Sequence, residues 1–450
     1  MRHRMKTLNQ SLTYPKMTAV GFFLLILAGT GLLMLPISSK HGSASFIDAL
    51  FTATSAGCIT GLVPFDTFTN WSVFGQIVII VLIQTGGLGF ITLLAAAIKL
   101  LGFKFSLKQK MLLKESIGSL TLGDAKELVK SVVLFTALCE GAGAVLLSLR
   151  FVPLAGLRRG IYMGIFTSIS AYCNAGFDLM GQYAPSSSLT TVNGDYIVLL
   201  TISLLIIFGG LGFIVWEDIK RRKLKFSALA VHTKLTLITT GILLLGGTVF
   251  FLIFEYNQTL ADMPLPQKIL NAFFCSVTPR TAGFNSVDIA AMTPQSRMAT
   301  ILLMFIGGST GSTAGGIKTT TVAVIILCLV ASARGKDSVT VFDKRITSDT
   351  VRKAISIISI NFFLIVIGTV VISFVQPELT LTDVIFECSS ALGTVGMTTG
   401  ITPQLGTAAK LTIALLMYIG RLTSLILAMS FVHTKPKTNS KKPKCNIMVG

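Results

Sequence analysis

Four short segments of this 450-residue chain end in a glycine at a fixed distance from a phenylalanine: Phe51 to Gly61, Phe166 to Gly176, Phe273 to Gly283 and Phe386 to Gly396. Phe stands ten residues before Gly in each, and successive glycines are 115, 107 and 113 residues apart. The chemistry open to such a loop is that of its backbone. A carbonyl is turned inward only through φ/ψ values that residues with a Cβ rarely adopt, and inward carbonyl oxygens replace the hydration shell of a cation. The oxygens on offer belong to Ile59, Thr60 and Gly61, to Asn174, Ala175 and Gly176, to Thr281, Ala282 and Gly283, and to Thr394, Val395 and Gly396. One glycine loop is a turn; four at one spacing point to a cation pore. No HExxH, nucleophile elbow or usefully spaced carboxylate pair competes with that reading, so no enzyme is expected. The seven cysteines are scattered without a CxxC pair and the four histidines are dispersed, which gives neither a disulfide framework nor a zinc site.

Each loop must be held by the elements around it. The chain is 52% hydrophobic and 13% charged, against about 25% charged in an average soluble domain, so most of it faces lipid or other helices. Long apolar runs at 18–36 and 71–98, 127–149 and 195–216, 234–255 and 297–332, and 354–375 and 407–432 bracket the four loops. About 20 apolar residues cross a bilayer, and these runs supply eight spans. The inserts are too short to span and too apolar for ordinary loops. They read as re-entrant segments, with short helices at about 46–56, 161–171, 268–278 and 381–391, whose carbonyl ends favour a cation. The predicted fold is an all-α polytopic membrane protein of eight transmembrane helices. It has four pseudo-repeats of span, re-entrant pore helix and filter loop, span. The second helices repeat as well, through Gly86-Gly87-Leu88-Gly89-Phe90, Gly209-Gly210-Leu211-Gly212-Phe213, Gly307-Gly308 and Gly420-Arg421. The first apolar run has no convincing cleavage site and is kept as a span.

The formal charge is +19, and 28 of the 38 Lys and Arg residues fall in five clusters: Arg2 to Lys16, Lys99 to Lys130, Lys220 to Lys234, Arg334 to Lys353 and Lys435 to Lys444. Two spans separate each cluster from the next, so all lie on one side, and the positive-inside rule makes that side the cytoplasm. The chain then divides into a cytoplasmic N-terminus (1–17), repeat 1 (18–98), a loop (99–126), repeat 2 (127–216), a loop (217–233), repeat 3 (234–332), a loop (333–353), repeat 4 (354–432) and a basic tail (433–450). The expected location is the cell membrane. The charge orients loops and meets membrane lipid; no nucleic-acid partner is expected. Asp66, Asp178, Asp195, Asp262, Asp288 and Glu378 fall on the outer face, where they concentrate cations. No proton pathway is assigned to the intramembrane carboxyls Glu140 and Glu387.

From Met298 to Ala333 the chain runs 36 residues with few charges, about 54 Å as helix. Gly307, Gly308, Ser309, Thr310, Gly311, Ser312, Thr313, Ala314, Gly315 and Gly316 should break it near mid-membrane. Lys318 follows at once, and Arg421 lies in the last span. A cation at that depth costs at least about 2.5 kcal/mol unless solvated or paired.

On its four glycine loops, its repeated spans and the broken helix, the chain resembles the membrane subunit of the Trk/Ktr/HKT superfamily of potassium transporters over essentially its whole length. It is most like the Ktr branch, since no extra spans precede repeat 1. The resemblance implies that four filter glycines go with potassium, whereas plant relatives with Ser in the first filter position tend to favour sodium. It implies that residues 307–316 gate the pore from below and that Arg421, with Lys318, interacts with that gate. It further implies a homodimer on a separate cytosolic ring of nucleotide-binding regulatory subunits. Potassium is then the substrate, with sodium stimulation by family analogy, and no nucleotide site is expected in this chain. A sodium-permeable relative of the same fold, and a membrane scaffold or enzyme with architectural loops, stay open as alternatives.

Overall fold

The structure is a computed structural model that describes residues 14–89, 125–223, 225–336 and 338–430. Residues 1–13 and 90–98, all but the end of the 99–126 loop, and the basic tail lie outside the described residues. The first repeat places α1 (Tyr14–Leu33), α2 (Phe46–Gly57) and α3 (Val73–Leu88) in sequence. The second has α4 (Ala125–Ala155), α5 (Leu157–Tyr172), α6 (Tyr196–Leu211) and α7 (Phe213–Arg222). The third has α8 (Val231–Glu255), α9 (Leu265–Val277), α10 (Pro294–Phe305) and α11 (Thr319–Ala333). A two-stranded hairpin, β1 (Thr340–Val341) and β2 (Lys344–Arg345), leads to α12 (Ser348–Val375), α13 (Leu381–Gly393) and α14 (Thr407–Ser430) of the fourth.

The helix starts follow local chemistry. Ser45, Thr293 and Thr380 each accept the N–H of the residue three on, at 3.2, 3.2 and 3.3 Å. Asp195 accepts from both Ile197 and Val198. Each cap satisfies a first-turn donor that has no partner inside the helix. The short helices α2, α5, α9 and α13 end at the four glycine loops; α2, α5 and α13 pack between the longer helices of their own repeats, and α9 packs on α8 and on α6 of the second repeat.

Among the described residues three helices, Lys130–Ala155, Val231–Glu255 and Ser348–Val375, are long and apolar enough to cross a membrane. Each shows an outward apolar stripe at helical spacing: Leu134, Leu138, Val145 and Leu149; Ile242, Leu245, Val249 and Ile253; Phe363, Ile367, Val370 and Phe374. Stripes of this kind have no place in water and fit a lipid boundary. Thr18–Leu33, Val73–Leu88 and Thr319–Ala333 are apolar but shorter.

The expected run 195–216 is not one straight helix. α6 stops at Leu211, and α7 leaves it at 89°. Gly212, at φ 91° and ψ 147°, makes the corner in a backbone region that only glycine enters freely. In the third repeat, helix ends at Phe305 and resumes at Thr319, so the break runs slightly beyond 307–316 on both sides.

The repeated phenylalanines explain the equal spacing and one departure from it. Phe51, Phe166 and Phe386 are fully buried. In the third repeat the fully buried ring is Phe274, one residue later, and Phe273 is only partly buried. The loop turn shifts with it. Thr60, Ala175 and Val395 donate to the carbonyl five residues back, each at 2.8 Å, whereas Ala282 donates to Thr278, four back, at 3.0 Å.

Candidate ion pathway

The four glycines meet in one closed ring. All have positive φ, 95° at Gly61, 70° at Gly176, 84° at Gly283 and 94° at Gly396. A Cβ built on Gly61 would lie 3.2 Å from the Cα of Gly176; one on Gly176 would lie 3.1 Å from Gly283, one on Gly283 3.1 Å from Gly396, and one on Gly396 2.9 Å from Gly61. Each would also press on the carbonyl oxygen of the residue before the next glycine: Ala175, Ala282, Val395 and Thr60 in turn. Glycine is therefore required twice at each position, for its φ and for the approach of the neighbouring backbone.

Two residues before each glycine, Ile59, Asn174, Thr281 and Thr394 also have positive φ, from 51° to 71°. Such values are uncommon for any side chain and outlying for β-branched Ile and Thr. The intervening Thr60, Ala175, Ala282 and Val395 do not share them. Alternating φ signs turn successive carbonyls toward one side instead of across the strand. Only Asn174 is of a type that visits the left-handed conformation readily; the identities of Ile59, Thr281 and Thr394 do not announce it, and the sequence reading missed it. Around the ring, the side-chain oxygens of Thr60, Asn174 and Thr394 are buried without a hydrogen-bond partner among the described residues. Asn174 Nδ2 donates to Thr281 Oγ1 at 3.2 Å. The Gly61 and Gly396 N–H groups are held by Ser55 and Ser390 hydroxyls at 3.0 and 3.1 Å.

The short helices are pressed against the second helices through the repeated glycines. A Cβ on Gly86, Gly209 or Gly420 would strike the carbonyl oxygen of Gly57, Tyr172 or Leu392, respectively. These are the residues four before each ring glycine, so one contact is built three times.

On one side the ring opens into a cavity of about 600 Å³ lined by all four glycines and by Asp66, Asp178 and Asp288. Asp178 accepts from the Met180 N–H at 2.9 Å. Burial pushes its carboxyl up to about 6, with the neighbouring Asp66 charge adding and the Met180 and Ser188 hydrogen bonds opposing. Asp195 is used differently: it caps α6 and pairs with Arg150 at 2.7 Å. Asp262 and Glu378 do not line this cavity. Glu387, fully buried, accepts from Thr402 Oγ1, which lies 3.0 Å from Thr398 Oγ1.

On the other side lies the loop between α10 and α11. Its ends are tied together, Gly307 N–H to Ile317 O at 2.8 Å and Thr319 N–H to Gly308 O at 3.0 Å. Its outer limb is laced to the second repeat: Ser309 donates to Gly210 O at 2.9 Å, Thr313 to Gly209 O at 3.2 Å, and Phe213 to Gly311 O at 2.9 Å. Its inner limb touches the fourth glycine loop, since a Cβ on Gly315 would strike Thr394 Oγ1 and one on Gly316 would lie 3.1 Å from Gly393 O.

Both expected cations are here. Lys318 Nζ donates to Ala314 O at 2.8 Å and Gly315 O at 3.3 Å. Arg421 Nη1 donates to Thr313 O at 2.6 Å, and Nη2 to Gly86 O. Three consecutive carbonyls, 313 to 315, are thus held by two cations. An unwound, buried backbone needs such donors, because an unpaired carbonyl costs as much as a lost hydrogen bond. Lys318 does not reach away from the loop toward an interface. A third cation, Arg280, lies buried three residues before Gly283, with its Nε unpartnered among the described residues; sequence reasoning assigned it nothing.

The TrkH family, described as cation transport protein, matches residues 5–442. The chain belongs to the TrkH family of cation transport proteins. It is a transporter and not an enzyme. It is 41% identical to Ktr system potassium uptake protein B of Bacillus subtilis, with 97% of each chain covered. It is 39% identical to potassium/sodium uptake protein NtpJ of Enterococcus hirae, with 99% of each covered. Its fold is similar to the crystal structure of the potassium transporter TrkH from Vibrio parahaemolyticus, with a TM-score of 0.70 at 18% identity, covering 94% of this chain and 86% of that one. The expected superfamily and its Ktr-like branch are borne out by these relatives. Among the described residues no group of His, Cys, Asp and Glu could hold a resident metal.

Proposed function

We propose that this TrkH-family chain takes up potassium across the cytoplasmic membrane through a channel-like pore along the axis of the glycine ring. The single observation that carries the reading is the closed ring of four positive-φ glycines. The backbone oxygens of residues 59–61, 174–176, 281–283 and 394–396 would coordinate the dehydrated ion, and the carbonyl ends of the four short helices would favour it. The relatives named for potassium uptake support the choice of ion. In this reading eight spans cross the bilayer, the short helices are re-entrant, and the termini and basic loops face the cytoplasm.

Residues 307–316 form the gate, with Lys318 and Arg421 holding it under the filter. The relatives' description as components of a Ktr system supports a cytosolic regulatory partner, and a dimer is part of the same proposal. A second reading, joint potassium and sodium passage, is favoured by the relative named for both ions and by the different turn of the third loop.

The test is Gly283→Ser in full-length protein reconstituted in vesicles, read as potassium and sodium flux. The added side chain would press on Val395 O, and the potassium-to-sodium ratio is expected to fall by about tenfold, ~1.4 kcal/mol of discrimination. An unchanged ratio in a well-folded variant would reject the ring as the filter.

A further inference from the structure

Between α8, α11, α12 and the β-hairpin lies a second cavity of about 360 Å³. One wall is apolar, with Leu235, Val324 and Ile357. Val341, Ile346 and Ala354 extend that wall, and His232, Lys353, Thr320, Thr321 and Thr350 supply the polar residues of the lining. Lys353 is partly buried and makes no hydrogen bond or ion pair among the described residues. His232 Nε2 is buried and has no hydrogen-bond partner among the described residues. The neighbouring carboxylates are already engaged: Asp349 pairs with Arg352, and Asp218 pairs with Arg222 at 2.8 Å while accepting the Ala230 N–H. Thr320 and Thr321 lie in the first turn of α11, a 15-residue helix, where the peptide dipoles favour an anion.

We propose that this cavity binds an anionic phospholipid of the cytoplasmic leaflet, its headgroup at Lys353, His232 and the α11 N-terminus and its acyl chain on the apolar wall. A soluble phosphate would leave the apolar wall unused, and a neutral lipid would leave the Lys353 charge unanswered. Both α8 and α12 carry lipid-type apolar stripes, so an acyl chain reaches the site along their surfaces. Basic pockets between membrane helices on the cytoplasmic side are suited to such headgroups. The placement rests on the membrane orientation proposed above.

The site is one residue layer from the gate. Thr320 Oγ1 lies 3.4 Å from Thr310 Oγ1, and Thr319, the next residue back, donates to Gly308. A headgroup on the first turn of α11 therefore bears on both ends of the 307–316 loop, and lipid occupancy biases how tightly that loop is closed.

The experiment uses the full chain in phosphatidylcholine vesicles doped with phosphatidylglycerol carrying a photoreactive acyl chain, or with the matching phosphatidylcholine analogue. Labelled peptides are mapped by mass spectrometry. Label from phosphatidylglycerol is expected in 231–235, 320–324 and 350–357, reduced about fivefold by Lys353→Ala, the ~1 kcal/mol of one basic contact. Val324→Trp, which fills the cavity, should remove it. Equal labelling by the two lipids, displacement by millimolar inorganic phosphate, or label unmoved by either variant would overturn the site. Monodisperse elution and unchanged labelling elsewhere on the spans certify the variants. Because labelling needs no ion flux, it stands or falls apart from the pore reading. If wild-type flux is unchanged, within about twofold, between phosphatidylglycerol-containing and pure phosphatidylcholine vesicles, the coupling to the gate is overturned.

Discussion

Arg421 bridges two repeats through carbonyl oxygens alone, Thr313 O in the loop and Gly86 O at the α3 glycine pair, and it faces the Phe22 ring at 5.9 Å. Charge-assisted hydrogen bonds of this kind contribute about 1.5–3 kcal/mol each. Replacing Arg421 by Gln should free the Thr313 end of the loop's outer limb and raise basal potassium flux by about tenfold or more, with Lys restoring part of the closure. Flux from vesicles lacking any regulatory protein measures this; a folded Gln variant with wild-type leak would show that the contact does not hold the gate. Glu387 is tied through Thr402 and Thr398 to the segment that follows the fourth ring glycine. Glu387→Gln keeps an acceptor for Thr402 and should preserve ion selectivity, while Glu387→Leu should relax the fourth segment and lower selectivity several-fold, ~1 kcal/mol for one lost buried hydrogen bond. Competition of sodium against rubidium uptake compares the two. At this scale the backbone geometry was legible where it rests on glycine, because φ and close approach leave no substitute. It was not legible at Ile59, Asn174, Thr281 and Thr394, whose left-handed backbone is imposed by the packing around them, and no local pattern signals the burial of Arg280.

The elements were legible to the extent that apolar run length and caps decide them. The short helices observed at Phe46–Gly57, Leu157–Tyr172, Leu265–Val277 and Leu381–Gly393 begin and end within a few residues of expectation, since apolar periodicity and the following glycine both mark them. The corner at Gly212 was missed because Gly209-Gly210-Leu211-Gly212 lies inside a continuous apolar run, and only the lacing of the 309–313 limb to residues 209–213 shows what the corner is for. Gly212 and the loop act together: a Cβ at Gly212 would lie 2.8 Å from both Ser309 Oγ and Thr310 O. Gly212→Ala should therefore strain the corner and loosen the loop, a cost of about 1–3 kcal/mol for a non-glycine residue in that region. Deleting 309–314 removes the lacing altogether. Both variants should raise cation flux, the deletion more, and weaken any response to the proposed regulatory subunit. A well-folded deletion with unchanged flux would show that the loop is not the barrier.

Across the whole molecule, charge is distributed in opposite senses on the two sides of the ring: three carboxylates line the cavity on one side, and Lys318 and Arg421 sit with the loop on the other. The net +19 of the chain conceals this, because most basic residues lie in terminal and connecting segments, and the arrangement emerges only once four distant loops are brought to one axis. A cation approaching the carboxylate side gains from each ionised group in turn. Asp178 titrates within reach of ordinary conditions, because burial raises its carboxyl to about 6. Above that pH it is charged and attracts the ion; as pH falls through about 6 it is protonated and the attraction is lost. One charge acting through water over ~6 Å is ~0.7 kcal/mol, so potassium influx at subsaturating concentration should drop about threefold between external pH 7.5 and 5. Asp178→Asn should start from the lower value and lose that pH-dependent component, and salt well above physiological strength should flatten the wild-type curve by screening. If the wild-type and Asn proteins traced the same pH curve, Asp178 would contribute nothing to ion entry, and the proton sensitivity would have to reside elsewhere in the mouth.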